Sequence, residues 1–164
     1  MASLNHVFTK YIFALYWVAA VINAAIVVLF FNGAFIETLL QSILFWVVGV
    51  LGVVSFFMHW RRKTADRLAR NIGWEPGSPF QKEVAAAGGA FGILGILSTW
   101  IMGDFWTATV IGVSFMLFMM GVGHIIDLKK RENKSILNTG AVLYSDILGP
   151  IVMVVLLVLW KMGM

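Results

Sequence analysis

Apolar residues run nearly unbroken over 11–31, stop at Asn32-Gly33, resume over 38–60, and return over 79–102, 105–126 and 140–160. Runs of about 20 residues, rising about 1.5 Å per residue, match a bilayer core about 30 Å thick. They are too long and too continuous for barrel strands of about 10 alternating residues. Backbone groups in lipid must be satisfied internally, so helices are the spans this pattern predicts. The expected fold class is all-α: a single membrane domain, 1–164, forming a polytopic bundle of five transmembrane helices. The first run is too long for a signal-peptide core and reads as span one.

The interruptions carry their own pattern. Arg61, Arg62, Lys63, Arg67 and Arg70 follow span two, with Ala65, Leu68, Ala69 and Ile72 at helical spacing between them. A basic amphipathic extension over 61–72 is therefore expected, continuing out of the membrane to lie against anionic headgroups. Ser78-Pro79-Phe80-Gln81 has the form of a capping box with proline at the first helical position. Gly103 suits a helix stop and Asp104 a cap, so the turn between spans three and four should be tight. A polar loop over 127–139, with Lys129, Lys130, Arg131 and Lys134, leads to span five.

Charge sets an expected direction. With the amino terminus inside, eleven of the twelve Lys and Arg residues fall on the cytoplasmic side and only Lys161 outside, as the positive-inside rule requires. The carboxyl terminus is then outside, and the expected location is the inner (cytoplasmic) membrane. Trp100 and Trp106 on one side, and Trp17, Trp60 and Trp74 on the other, stand where aromatic belts belong.

Composition agrees: 60% of the 164 residues are apolar and 12% charged, against about 25% charged in an ordinary soluble domain. The net charge of +4 comes from the short loops between spans and matches no nucleic-acid module, so no nucleic-acid partner is expected. The absence of cysteine excludes disulfides, thiolate metal sites and a cysteine nucleophile.

Candidate chemistry gathers at one end of the spans. His59 ends span two, Gln81 and Glu83 begin span three, His124 and Asp127 end span four, and Asp146 lies about two turns into span five. A carboxylate within a span must pair or reach water, and His124, His59 and the loop lysines are its candidate partners. A capping role in the first turn of span five is the structural alternative. His59 and His124 admit interfacial hydrogen bonding, a proton relay, one face of a divalent-metal site, or axial ligation of haem. No metal motif is present, so no cofactor is expected, with these two histidines as the weak metal candidates. Small residues Gly88, Gly92 and Gly95 line one face of span three, and Gly121 shares a face with His124. The glycine face is expected to pack on span four or on another subunit. Gly49-Val50-Leu51-Gly52-Val53-Val54-Ser55 also resembles Gly92-Ile93-Leu94-Gly95-Ile96-Leu97-Ser98, which in oppositely directed helices would be an inverted repeat or a chance match.

Phe80-Gln81, Glu83-Val84, the 92–98 string, Phe105-Trp106, Ala108-Thr109-Val110-Ile111-Gly112, Gly123-His124, Tyr144, Asp146-Ile147-Leu148 and Pro150 together resemble a family of uncharacterised small prokaryotic multi-pass membrane proteins, a domain of unknown function. The resemblance covers about residues 80–150. It implies no activity, and it directs interest to Glu83, His124, Asp146 and Pro150 without assigning them roles. The expected function is a non-enzymatic membrane bundle, a homo-oligomer or subunit of a membrane complex. Its inner polar layer would serve ion or small-solute passage or partner docking. The alternative is a membrane-embedded enzyme or redox protein using His59, His124 and Asp146.

Overall fold

The computed structural model describes the backbone of residues 2–164 and the side chains of residues 11–164. Among them there is no strand, and the chain forms six helices: α1 (Ala2–Phe31), α2 (Phe35–Trp60), α3 (Arg62–Ile72), α4 (Phe80–Leu97), α5 (Asp104–Arg131) and α6 (Ala141–Lys161). Four of them are long and apolar enough to cross a membrane: α1 over Tyr11–Phe31, α2, α5 and α6. α4 is shorter, 18 residues, and its first turn holds Gln81, Lys82 and Glu83 after Phe80, which dilute its apolar run.

Most boundaries follow from local chemistry. Asn32 takes a left-handed backbone (φ 54°) and reverses the chain between α1 and α2. The basic segment is helical, but it is separated from α2 by Arg61, whose extended backbone (φ −80°, ψ 116°) breaks the helix that the sequence pattern ran on continuously. Gly73 ends α3 at φ 85°, the left-handed stop that glycine takes without steric cost. α5 runs a turn beyond its expected end, to Arg131.

Several expected details take another form. The capping box does not close: Pro79 occupies the cap position of α4 with no side-chain bond, because Gln81 is committed elsewhere. Asp104 does not cap α5; it is the helix's first residue and pairs with Lys161 at 3.1 Å. The turn into α5 is also longer than a tight hairpin, since α4 ends at Leu97. Trp106 is not a belt residue. It is fully buried in the core, donates to Ser98 O at 2.8 Å, and meets Trp160 with ring centroids 4.9 Å apart. Trp160 Nε1 in turn donates to Glu37 at 3.1 Å, so α2, α5 and α6 are joined at this end.

The glycine face of α4 packs on α2, not on α5. A Cβ at Gly52 would stand 2.8 Å from Gly88 O and from Gly92 Cα, and one at Gly49 would stand 2.9 Å from Ile96 N. A Cβ at Gly92 would meet Val53 N at 2.6 Å, so the two backbones touch with no side chain between them. The similar strings 49–55 and 92–98 therefore face each other across one antiparallel seam, which gives the similarity a packing reason. Where Gly95 meets Leu44 and Gly49, residues Leu44–Val50 of α2 are wound as a π-helix. The seam runs from His59 and Gln81 at one end to Gln41 and Thr99 at the other, where Gln41 Nε2 donates to Thr99 O at 3.2 Å.

The remaining helices close on a core of Leu40, Leu44, Val47, Trp106, Val110, Met153 and Leu157, with Ala20 of α1 at its edge. Asn23 of α1 donates to Ser42 Oγ at 2.7 Å, and Trp17 to Ser145 Oγ at 3.0 Å, fixing α1 to α2 and α6. From Tyr11 to Phe31, α1 is largely uncovered, with Leu15, Val18, Val21, Ile22, Ile26 and Leu29 facing outward.

Candidate functional site

α5 and α6 pack along their lengths and bring two ionisable side chains together in their interface. Gly121 makes this possible: a Cβ there would lie 2.5 Å from Ile147 Cδ1 and 3.2 Å from Asp146 Cβ. Without it, α6 comes close enough for Asp146 to reach His124, which is three residues on from Gly121 and on the same face. His124 Nε2 lies 3.6 Å from Asp146 Oδ2, and the two side chains are only 5% and 4% exposed. Asp146 sits well beyond the first turn of α6, which begins at Ala141, so it is not a cap.

The tautomer of His124 follows from its other neighbour. Asn138 Nδ2 donates to Asn133 O at 2.8 Å and to His124 O at 3.4 Å, two carbonyls that accept only, which orients the amide. Its Oδ1 then faces His124 Nδ1 at 2.7 Å, so Nδ1 carries the hydrogen and donates. Nε2 is left to face the carboxyl oxygen. Asp146 Oδ2 is buried and has no hydrogen-bond partner among the described residues. Pro150 adds a second acceptor, because it has no N–H to donate to the carbonyl of Asp146 four residues earlier in the helix.

A second layer shields this pair. Trp74, in the loop between α3 and α4, lies parallel to His124 with centroids 6.3 Å apart and donates through Nε1 to Asp127 Oδ2 at 3.3 Å. Asp127 also accepts from Asn133 Nδ2 at 2.6 Å and pairs with Arg131 at 3.3 Å. It thus ties together the α3–α4 loop, the α5–α6 loop and the end of α5, and its carboxylate is fully engaged.

His59 belongs to a separate group. Its Nδ1 faces Gln81 Oε1 at 3.0 Å, while Gln81 Nε2 donates to Ala65 O at 2.9 Å, which fixes the ring by the same amide logic. His59, Gln81, Trp74 and Arg131 line an open cavity of about 750 Å³. Trp74 lines that cavity and its ring also stacks on His124. Nδ1 of His124 is bonded to Asn138 and Nε2 faces Asp146, not His59. Among the described residues, no three histidine or acidic side chains converge as a metal cage would need. Glu83 is exposed.

A family model described as Family of unknown function (DUF6790) matches residues 6–163. The chain belongs to this family. The match takes in α1, α2 and the basic α3 as well as the 80–150 region that carries the resemblance in sequence. No curated protein and no solved structure matches the chain. In this DUF6790 member, sequence reasoning does not single out Asn138 and Asn133, and it reads Trp74 only as a belt aromatic. Two asparagines and a tryptophan in polar loops are ordinary; only their return onto His124 and Asp127 gives them weight.

Proposed function

We propose that this protein is a five-span bundle of the cytoplasmic membrane, amino terminus inside, in which His124 and Asp146 take up and release one proton. That proton serves passage of an ion or small solute from the inner side. The observation that carries this reading is the buried Asp146 Oδ2, without a hydrogen-bond partner among the described residues, facing the Nε2 of a histidine whose Nδ1 is already committed. One proton between Nε2 and Oδ2 satisfies both atoms, either as a neutral hydrogen bond or as an ion pair. Losing it leaves an unpaired carboxylate in a low-dielectric interior. A site with one proton to hold, beside a Trp74 that also lines an open cavity, is suited to proton exchange.

Support for α4 as the fifth span is its course beside α2, from the His59–Gln81 contact to the Gln41–Thr99 contact. Its 18 residues extend about 27 Å, close to the bilayer core of about 30 Å. The outward apolar face of α1 suits lipid or a second copy of the chain, and self-association belongs to this reading.

The test is proton flux into proteoliposomes loaded with a pH-sensitive dye under an imposed gradient. Wild-type protein should pass protons, and Asp146→Asn should reduce the flux at least about tenfold, the effect of removing an essential proton carrier. Unchanged flux in Asp146→Asn would overturn the proposal. Cross-linking through cysteines placed at Val18 and Ile22 reads the self-association, and monomers alone would remove it.

A further inference from the structure

Apart from the His124–Asp146 pair, the last turn of α3 and the α5–α6 loop, as far as the residue that caps α6, frame an open cleft of about 560 Å³. Arg70, Asn71, Lys134, Ser135, Thr139 and Gly140 line it, and no carboxylate does. The cleft is held in shape by bonds to backbone carbonyls: Leu137 N donates to Asn71 O at 2.9 Å, and the Asn133 side chain donates through Nδ2 to Ile72 O at 2.7 Å. Thr139 Oγ1 donates to Ser135 O at 3.2 Å, which closes the loop wall.

The electrostatics of the cleft are uncompensated. Arg131 nearby is paired with Asp127, whereas Arg70 and Lys134 form no ion pair among the described residues. α6 is 21 residues long, and it starts at the cleft with Gly140 in the cap position and no side chain bonded to its first amides. Free amides at a helix start carry partial positive charge and attract anions. Arg70 also complements the carboxyl end of α3, but that accounts for neither Lys134 nor the meeting of the two cations with the start of α6.

We propose that this cleft binds a phosphate group, carried by an anionic phospholipid headgroup or present as a free phosphate. The guanidinium of Arg70 offers a planar fork to two phosphate oxygens, Lys134 a point charge, and Ser135 a hydroxyl. The volume falls within the range of about 300–1,000 Å³ usual for small-molecule sites and leaves room for more than a bare phosphate.

Calorimetric titration of the full-length protein in detergent tests this, with short-chain phosphatidic acid and inorganic phosphate as separate probes. The double variant Arg70→Gln/Lys134→Gln should weaken binding at least about tenfold, since each lost charge-assisted bond is worth about that factor. Lys63→Gln/Arg67→Gln, which removes the same charge from exposed positions of α3, should leave binding within about twofold, the change expected from screened surface charge. All four side chains are exposed, so both variants should match wild-type helicity and elution. Phosphatidic acid binding without inorganic phosphate binding supports the site with a lipid headgroup as its source. Binding of both probes, each lost in the first variant, supports it with free phosphate as a ligand. Equal weakening in the two variants, or no binding of either probe to wild-type protein, would overturn it.

Discussion

α2 and α4 meet through glycine, whereas α5 and α6 meet through a histidine and a carboxylate, although both pairs run antiparallel through apolar surroundings. At the first seam the backbones approach until a single added Cβ would lie 2.6 Å from Val53 N. Such contact leaves little volume for side chains, the small Ser55 beside Gly88 being the polar one there, and dispersion between close backbones holds the helices together. At the second seam one glycine, Gly121, opens just enough room for Asp146 beside His124. The same residue type thus serves opposite ends: repeated, it excludes chemistry, and placed once beside ionisable groups, it admits it. The polar seam also needs support from outside its own helices, which the loop asparagines and Trp74 supply, while the glycine seam is complete in itself.

Four substitutions probe this difference, from the largest effect to the smallest. His124→Ala leaves Asp146 buried without its facing nitrogen and Asn138 Oδ1 without its donor. It should cost about 3 kcal/mol or more, read as a lowered SDS-unfolding midpoint. A midpoint like wild type would mean that the pair is not buried as described. Gly95→Ala presses a methyl group on Leu44 O and Gly49, and should cost about 1–3 kcal/mol by the same measurement. If it proves neutral, the close backbone contact of α2 and α4 is not present in solution. Asp146→Asn keeps the shape and can donate its Nδ2–H to His124 Nε2, so stability should change by about 1 kcal/mol or less. Paired with the flux assay, it separates proton handling from folding. Gly123→Ala, on the same helix as Gly121 but with nothing within 4 Å of an added Cβ, should gain about 0.5–1 kcal/mol from helix propensity alone. A loss there would show that the outward face of α5 is covered by lipid or a partner closely enough to resist a methyl group.

Much of the fold can be read along the chain because a bilayer makes span formation a local matter. Twenty apolar residues commit themselves to a helix whatever their neighbours do, so α1, α2, α5 and α6 are visible as runs. α4 is legible as the run 79–102 but is the marginal case, since Gln81, Lys82 and Glu83 enter its first turn, and its place beside α2 is visible only in the fold. The glycine face of α4 was equally legible as a packing surface, but its partner was not: adjacency in sequence favoured α5, and the complementary glycines lie on α2. Among the candidate polar residues, His124 and Asp146 meet, Asp127 ties the loops beside them, and His59 with Gln81 forms a group of its own. Gln81 illustrates why local rules misplace such residues. Its position fits a capping box, yet the longer-range bonds to His59 and Ala65 O take precedence.

Sequence by itself determined the all-α membrane class, the places where apolar runs begin and end, and the concentration of basic residues at alternate loops. Each of these depends on composition over one helix length measured against a bilayer. Tertiary structure alone decided which helices pair, which nitrogen of His124 bears hydrogen, and that Asn138, in a polar loop, is wholly buried. Those outcomes rest on contacts between residues far apart in the chain, such as Ile72 with Asn133, Trp74 with Asp127 and Gly52 with Gly92, and no local pattern encodes a distance across that separation.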